Sequence, residues 1–292
     1  MTHKLGHIVW AAIRPKTLLL AATPVLVGLA LAWTEGAAMH APAALATLVA
    51  AVLIQIGVNL HNDAADHERG NDPPERIGPL RVTAAGWATA TQVKKGAQIA
   101  FGLAFILGVY LAILGGWPII AIGLTSLAAG AAYSGGPRPI SYTPLGELFV
   151  WGFFGVLAVV GTHWLQTGHT TAAAWISGAS LGLPAAAVLL VNNLRDRVED
   201  TAAGRRTLAA VLGEQRSRHL YALFMLLPFT VLPMIAKTGF GVWLALLALP
   251  ISIQLVHRMH TVQGVAMNDM LTATARQQFI FGLLLAIGFL LS

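Results

Sequence analysis

The stretch that decides the fold is Asn59–Arg81, NLHNDAADHERGNDPPERIGPLR, which directly follows an apolar run. It holds five of the twelve acidic residues of the chain. A shorter stretch, Asn192–Asp200 (NNLRDRVED), also follows an apolar run, and in both stretches an Asn is followed four residues later by an Asp. Carboxylates beside cationic residues at the end of a hydrophobic segment indicate a site for a metal ion and phosphate.

Composition places the chain in a membrane. Only 10% of the residues are charged and 56% are hydrophobic, with a mean hydropathy of +0.70, whereas a soluble domain is about one-quarter charged. The chain contains no cysteine, which excludes disulfide and thiolate chemistry. The formal net charge of +6 fits cytoplasmic loops beside anionic lipid headgroups, so we expect membrane lipid and no nucleic acid as a partner.

Nine apolar segments are long enough to cross a bilayer, which takes about 20 residues per helix. They predict an all-α integral membrane protein that forms a single polytopic domain over residues 1–292. The predicted spans are 17–34, 42–62, 91–114, 117–134, 146–166, 172–194, 217–236, 240–258 and 272–291. The two acidic motifs fall in long connections on one side, at about 63–90 and 195–216.

The charges orient these spans. With nine crossings, one face of the bundle receives every Lys and Arg except Lys237, and every Asp and Glu except Glu35. Cytoplasmic connections carry the excess of Lys and Arg in membrane proteins. We therefore predict a cytoplasmic N-terminus, a C-terminus outside, and both motif connections in the cytoplasm.

The spacing of the acidic residues favours a magnesium site. Asp63 and Asp66 lie three residues apart, and Asp196 and Asp200 lie four apart, so each pair shares one face of a helix. Four carboxylates around one cavity require cations, and Mg²⁺ prefers carboxylate and phosphate oxygens. Asn62 could add a neutral carbonyl ligand. We predict that the four Asp residues are both catalytic and metal-binding.

Basic residues accompany both motifs, and arginine can bind phosphate through two parallel hydrogen bonds. The chain has neither a Walker loop nor a dinucleotide fingerprint, so we predict a lipid diphosphate rather than a nucleotide. The predicted diphosphate-binding residues are Lys16, Arg69, Arg76, Arg81, Arg138, Arg195 and Arg205, with Arg206 as a further candidate.

Loss of an allylic diphosphate leaves a carbocation, which needs a dry cavity with aromatic faces. The aromatic candidates on or beside the fourth and fifth spans are Tyr133, Tyr142, Trp151, Phe153, Phe154 and Trp164.

The motifs as a set resemble the UbiA superfamily of intramembrane prenyltransferases. The resemblance is carried by Arg14–Thr17 (RPKT), Pro24–Gly28 (PVLVG), Asn59–Asp66, Tyr133–Pro137 (YSGGP), Gly146–Val150 (GELFV), Val159–Thr162 (VVGT), Asn192–Asp200, Gly204–Leu208 (GRRTL) and Gly282–Gly288 (GLLLAIG). Arg76–Arg81 (RIGPLR) is similar to the branch that prenylates 1,4-dihydroxy-2-naphthoate in menaquinone biosynthesis.

The resemblance implies nine transmembrane helices around a central cavity, with cytoplasmic cap loops, in a bacterial plasma membrane. It implies Mg²⁺ bound by the four Asp residues with help from Asn62, a polyprenyl diphosphate donor, and 1,4-dihydroxy-2-naphthoate as the acceptor, which loses CO₂ to give demethylmenaquinone. The predicted substrate-binding residues are Asn59, Tyr133, Asn192 and Asn193.

Two positions depart from the wider superfamily. Gly70 stands where many members have a further Asp, a role that Asp72 could take, and Arg205 stands where many have Lys. Two alternatives stay open at this point. One is a sister prenyltransferase that uses 4-hydroxybenzoate or another phenol, and the other is a secondary transporter. Transporters carry charges near the membrane midplane, whereas the apolar centres of these spans carry almost none.

Overall fold

The structure is a computed structural model, and it describes residues 4–71 and 77–292. All regular secondary structure in these ranges is helical. The helices are α1 (Leu5–Ile13), α2 (Pro15–Thr34), α3 (Ala41–Glu68), α4 (Ala90–Gly115), α5 (Trp117–Ser134), α6 (Gly146–Thr167), α7 (Ala172–Arg195), α8 (Arg197–Ala202), α9 (Leu208–Thr230), α10 (Leu232–Ile235), α11 (Leu249–Met259) and α12 (Met267–Leu290). Short 3₁₀ segments cover Ile140–Tyr142, Ala236–Thr238, Phe240–Ala248 and Gly264–Ala266.

Within the described residues, nine helical segments are long and apolar enough to cross a membrane, which confirms the predicted number of spans. Six of them are α2 to α7. The last three are composite, and they run over Leu208–Thr238, Phe240–Met259 and Gly264–Leu290. The chain is therefore a multi-pass helical membrane protein.

Both motif connections contain more helix than the hydropathy pattern predicts. Helix α3 continues to Glu68, so the first motif is helical rather than the start of a loop at residue 63. Before the predicted start at residue 217, a short helical segment begins at Leu208, where the Thr207 side chain accepts a hydrogen bond from the Ala210 amide and caps it. The backbone leaves the helical conformation at Gly213 (φ 75°, ψ 173°), so α9 consists of two helices joined at a kink. Hydropathy marks the part of a helix that lies in lipid, and polar turns can extend the helix beyond it.

Side-chain caps fix several other helix ends. Thr89 and Gln92 form a reciprocal capping box at the start of α4. The Thr171 side chain accepts a hydrogen bond from the Ala174 amide at the start of α7. These caps fix the residues at which α4 and α7 begin after polar connections.

Helix α7 is the centre of the bundle. The main core cluster joins it to α2 and α12, with Leu181, Leu31 and Phe281 fully buried. A second core cluster joins α7 to α9, α11 and the start of α12. In contrast, α4 and α5 are mostly exposed and carry many exposed apolar side chains on their outer faces.

A π-helical turn at Gly152–Leu157 interrupts α6 where it crosses α7. A Cβ atom on Gly155 would lie 2.4 Å from the Cα of Gly182 and 2.5 Å from the carbonyl oxygen of Gly178. The two backbones therefore approach so closely that only glycine fits. On its other side, the π turn places Phe153 and Phe154 on the wall of a cavity, and π turns often occur at functional sites.

That cavity has a volume of about 820 Å³ and is lined by all six helices from α2 to α7. One end, called here the motif end, is lined by Asn62, Asp66 and Asp196. The opposite end, called the far end, is lined by Thr47 and Ile119. The cavity is thus charged at one end and apolar along the rest of its length.

The close contact at Gly155 generates a test of packing. We expect Gly155→Ala to lower the free energy of unfolding by about 1–3 kcal/mol, since an added methyl group must push α6 and α7 apart. Gly152→Ala is the matched control in the same turn, because its added Cβ meets no atom within 4 Å. Thermal unfolding of the detergent-purified variants measures both. Equal melting temperatures for the two variants would contradict the close-packing interpretation.

Candidate active site

Asp66 is the central acidic residue of the motif end. Its carboxylate is buried and accepts from two arginines: Arg81 Nη2 lies 2.6 Å from Oδ2, and Arg205 Nη2 lies 2.7 Å from Oδ1. Arg81 follows the first motif, Asn59–Asp66, and Arg205 follows the second motif, Asn192–Asp200. One carboxylate therefore joins the two motif connections above the cavity.

Arg205 also reaches the second motif. Its Nη1 lies 3.4 Å from Asp200 Oδ1, and its guanidinium carbon lies 4.4 Å from the ring centroid of Tyr142. Burial disfavours the charged guanidinium, yet the nearby charges of Asp66, Tyr142 and Asp200 outweigh it and raise the pKa of Arg205. Arg205 is thus a fixed cation between two carboxylates.

The surroundings of Asp200 disfavour the charged form of its carboxyl group. Its pKa is raised to about 6, chiefly by burial and also by the nearby charges of Asp196 and Asp66, which together outweigh the opposing effect of Arg205. A carboxyl group in this position favours a cation partner stronger than the single guanidinium 3.4 Å away.

Asp196 lies where α7 ends and α8 begins, and Arg195 holds it. Arg195 donates from Nε to Oδ1 at 2.6 Å and from Nη2 to Oδ2 at 2.6 Å. The Arg195 side chain is fully enclosed, whereas the Asp196 side chain is 21% exposed and lines the cavity. Arg195 does not line the cavity, and in this geometry it orients Asp196. Its contact with diphosphate stays a prediction.

Asp63 lies apart from the other three Asp residues. Its buried carboxylate accepts from the Val82 amide at 3.0 Å, from the Thr83 amide at 3.3 Å and from the Thr83 hydroxyl. It does not line the cavity. Although Asp63 and Asp66 are neighbours on α3, the expected shared face divides: one carboxylate anchors the segment that carries Arg81, and the other faces the cavity.

Within residues 4–71 and 77–292, no three Asp, Glu or His side chains converge on one metal position. The reason is visible at Arg205, whose guanidinium stands between Asp66 and Asp200. The donor set nevertheless fits magnesium, because Asp66, Asp196, Asp200 and Asn62 all line the motif end with oxygen-bearing side chains. Their role as metal ligands stays a prediction.

The basic residues predicted to bind diphosphate differ in whether they line the cavity. Arg81 and Arg205 line the cavity. Arg69 instead donates to the carbonyl oxygens of Ser134 at 2.6 Å and Gly136 at 3.0 Å, and so holds the connection after α5. Among the described residues, Lys16, Arg138 and Arg206 are exposed and do not line the cavity, while Arg76 and Asp72 fall outside the described residues.

All four predicted substrate-binding residues, Asn59, Tyr133, Asn192 and Asn193, line the cavity. Asn59 donates to the Ile13 carbonyl and the Thr17 hydroxyl, both at 2.9 Å. Asn193 donates at 2.9 Å to Glu147, which is 2% exposed.

The aromatic candidates also divide. Tyr133, Phe153 and Phe154 line the cavity, together with Phe149. Trp151 does not, because its indole donates to the Ala179 carbonyl at 3.0 Å. Trp164 likewise lies outside the lining and donates to the Gly115 carbonyl at 2.8 Å. The structure therefore supplies aromatic faces from α5 and from the π turn of α6.

Sequence patterns alone did not identify two residues that line the cavity. Arg14 joins α1 to α2 and adopts a left-handed conformation, with φ of 52°, which is uncommon for a residue with a side chain. Gln55 is buried, donates to Thr17 and Asn59, and keeps a side-chain oxygen without a partner among the described residues. A polar residue inside a predicted span was the available signal for Gln55.

The family model described as "UbiA prenyltransferase family" matches residues 21–270. The chain belongs to the UbiA prenyltransferase family. Two relatives of this UbiA chain are both named 1,4-dihydroxy-2-naphthoate octaprenyltransferase. The one from Escherichia coli (strain K12) is 35% identical over 96% of this chain and 94% of the relative. The one from Bacillus subtilis (strain 168) is 32% identical over 99% and 94%.

A solved structure agrees with the fold. The UbiA homologue from Archaeoglobus fulgidus bound to DMAPP and Mg²⁺ has a TM-score of 0.62 at 13% identity, over 96% of this chain and 99% of that one. At this identity the likeness concerns the fold of the UbiA chain alone.

Tyr142 generates a prediction for this UbiA site. Its ring lies beneath the Arg205 guanidinium, and its hydroxyl accepts from Asn71 and lies 3.4 Å from Arg205 Nη2. A cation–π contact of this kind contributes about 1–2 kcal/mol. We expect Tyr142→Ala to weaken the binding of pyrophosphate with Mg²⁺ by about tenfold, as measured by isothermal titration calorimetry.

Tyr142→Phe is the matched control, because it retains the ring and loses only the hydroxyl. We expect its affinity to fall by about threefold or less. An equal loss in the Phe and Ala variants would assign the effect to the hydroxyl and contradict the role of the ring.

Proposed function

We propose that the protein transfers a polyprenyl group from polyprenyl diphosphate to 1,4-dihydroxy-2-naphthoate. The observation that carries the proposal is the agreement of the two named relatives over nearly the whole chain. The cavity supports it independently, because a charged end joined to a long apolar space suits an amphiphilic donor. The acceptor loses its carboxylate as CO₂, and the product is demethylmenaquinone in its hydroquinone form.

The diphosphate binds at the motif end. Arg81 and Arg205 line the cavity there and both contact Asp66, so they are placed to transfer their hydrogen bonds to phosphate oxygens. Asp66, Asp196 and Asp200, with Asn62, would hold magnesium. When bound, magnesium neutralises the negative charge that develops on the leaving diphosphate. The Archaeoglobus homologue, described as bound to DMAPP and Mg²⁺, supports this assignment.

The prenyl tail occupies the apolar part of the cavity. Along α3, the lining runs from Asp66 to Thr47, which at 1.5 Å per residue spans about 28 Å. This is close to the hydrocarbon thickness of a bilayer. From the charged end, the prenyl tail therefore extends directly into the apolar part of the cavity. This environment is similar to the lipid from which the donor comes.

The reacting centre lies where the charged and apolar parts meet. The C–O bond of the donor breaks, and its electron pair leaves with the diphosphate. The aromatic faces of Tyr133, Phe153 and Phe154 stabilise the allylic cation and exclude water. An electron-rich ring carbon of the acceptor forms the new C–C bond, and departure of the carboxylate as CO₂ leaves a neutral product without any oxidant.

The membrane orientation follows from charge. The motif end is cytoplasmic, because Arg81 and Arg205 lie there and Lys237 is the exception on the other side. Both the N-terminus and the cap connections then face the cytoplasm, where water-soluble acceptors and magnesium are available. The C-terminus lies outside.

The function is tested with membranes containing the protein, radiolabelled polyprenyl diphosphate and Mg²⁺, supplied with either 1,4-dihydroxy-2-naphthoate or 4-hydroxybenzoate. We expect labelled product and CO₂ only with the naphthoate. Product from the benzoate alone would refute the acceptor assignment.

Asp66→Ala and Asp196→Ala serve as matched inactive variants in the same assay. We expect both to insert and purify but to lose at least about 100-fold in rate, because each removes a predicted ligand or phosphate-site carboxylate. Near-normal rates in both would contradict the metal assignment while leaving the acceptor result intact.

A pH dependence follows from Asp200, whose pKa is raised to about 6. Below this pH its carboxyl group is protonated and cannot bind a cation, so the Mg²⁺ concentration for half-maximal activity rises as the pH falls through about 6. Titrations of Mg²⁺ at several pH values measure the effect. Asp200→Asn is the control and should need more Mg²⁺ at every pH without this rise. A constant Mg²⁺ requirement across the range would contradict the role of Asp200.

A further inference from the structure

Asn268 lies in the first turn of α12, outside both acidic motifs, and its side chain makes two hydrogen bonds. Its Oδ1 accepts from Arg195 Nη1 at 2.8 Å. Its Nδ2 donates to the carbonyl oxygen of Ile77 at 2.8 Å. One amide therefore contacts the second motif and the connection that follows the first motif.

The contact with Arg195 completes a closed set of hydrogen bonds. Arg195 donates from Nε and Nη2 to Asp196, from Nη2 to Asn192 at 2.9 Å, and from Nη1 to Asn268. Because the Arg195 side chain is fully enclosed, water cannot replace a lost partner. Asn268 thus fixes the plane of the guanidinium, and the guanidinium fixes both oxygens of Asp196.

The contact with Ile77 depends on the NH₂ group of the Asn268 side chain, which donates to the Ile77 carbonyl oxygen. Ile77 precedes Arg81 in the same connection, and Arg81 binds Asp66 at 2.6 Å. A carboxylate at position 268 could accept from Arg195 but could not donate to Ile77, and an apolar side chain could do neither. An amide is the side chain that satisfies both neighbours.

We propose that Asn268 is a positioning residue that orients Asp196 through Arg195 and ties the connection after the first motif to the second. The inference rests on the proposed function, because it assigns Asp196 to the magnesium and diphosphate site. Asn268 itself touches neither the cavity nor the reacting atoms. Groups that support a metal ligand in this way typically change metal affinity by about 10–100-fold when they are removed.

The test compares Asn268→Ala, which removes both contacts, with Asn268→Asp, which restores the acceptor for Arg195. The first readout is the Mg²⁺ concentration that half-saturates the thermal stabilisation of the detergent-purified full chain by inorganic pyrophosphate. The second readout is the separation of KM for polyprenyl diphosphate from kcat. We expect Asn268→Ala to raise the half-saturating Mg²⁺ concentration about tenfold, and Asn268→Asp to return it to within about threefold of the wild type.

The matched control is Asp269→Asn, an exposed neighbour in the same helical turn. This variant replaces a carboxylate with an amide, which is the reverse of Asn268→Asp. We expect it to keep the Mg²⁺ requirement of the wild type. If Asn268→Ala cannot be purified, Asn268→Ser takes its place with the same expectation, since a serine side chain is too short for either contact.

Two results would overturn the inference. One is a wild-type Mg²⁺ requirement in the Ala or Ser variant, even with a lowered melting temperature, because that would leave only a structural role. The other is an Asp variant as impaired as the Ala variant, because the effect would then pass through the contact with Ile77 and not through Arg195. If the wild type responds to Mg²⁺ and pyrophosphate but prenylates neither acceptor, the proposed function fails and the positioning role stands.

Discussion

The buried charge of Asp66 is the constraint on which the rest of the motif end depends. A carboxylate removed from water requires cationic partners, and Arg81 and Arg205 supply them at 2.6 and 2.7 Å. These arginines come from different connections, so neutralising one helical residue closes both connections over the cavity. The Arg205 guanidinium also contacts Asp200 and Tyr142. It therefore links four segments of the chain, namely α3, the connection after α5, α8 and the connection that carries Arg205 itself.

The charged residues of the two motifs divide into those that hold other parts of the site and those that line the cavity. Asp63 holds the segment carrying Arg81, and Arg195 holds Asp196. Asp66, Asp196 and Arg205 line the cavity. This division has a physical reason: donors and acceptors that are all satisfied by enclosed neighbours keep a rigid geometry, whereas Asp66 and Arg205 are paired with each other at the cavity wall.

The bundle supports this division by having one buried, closely packed side and one exposed apolar side. Helix α7 is buried against α2 and α12, and it approaches α6 so closely at Gly155 that a methyl group would not fit. Helices α4 and α5 close the other side of the cavity with mostly exposed surfaces. The motif residues on α3 and α7 are thus held by packed helices, whereas the apolar part of the cavity is bounded by helices whose outer faces are exposed.

The sequence by itself determined the nine spans, because a bilayer requires a fixed length of apolar helix, and it also indicated the family and the four residues Asn59, Tyr133, Asn192 and Asn193 on the cavity wall. Only the tertiary structure decided what each charged residue does. Asp63 and Asp66 are equivalent in spacing, yet one binds a backbone segment and the other two arginines. No local pattern marks Asn268, because its partners are far away in sequence. Hydropathy and spacing describe one helix at a time, whereas the partner of a buried charge is chosen by which connections fold over it.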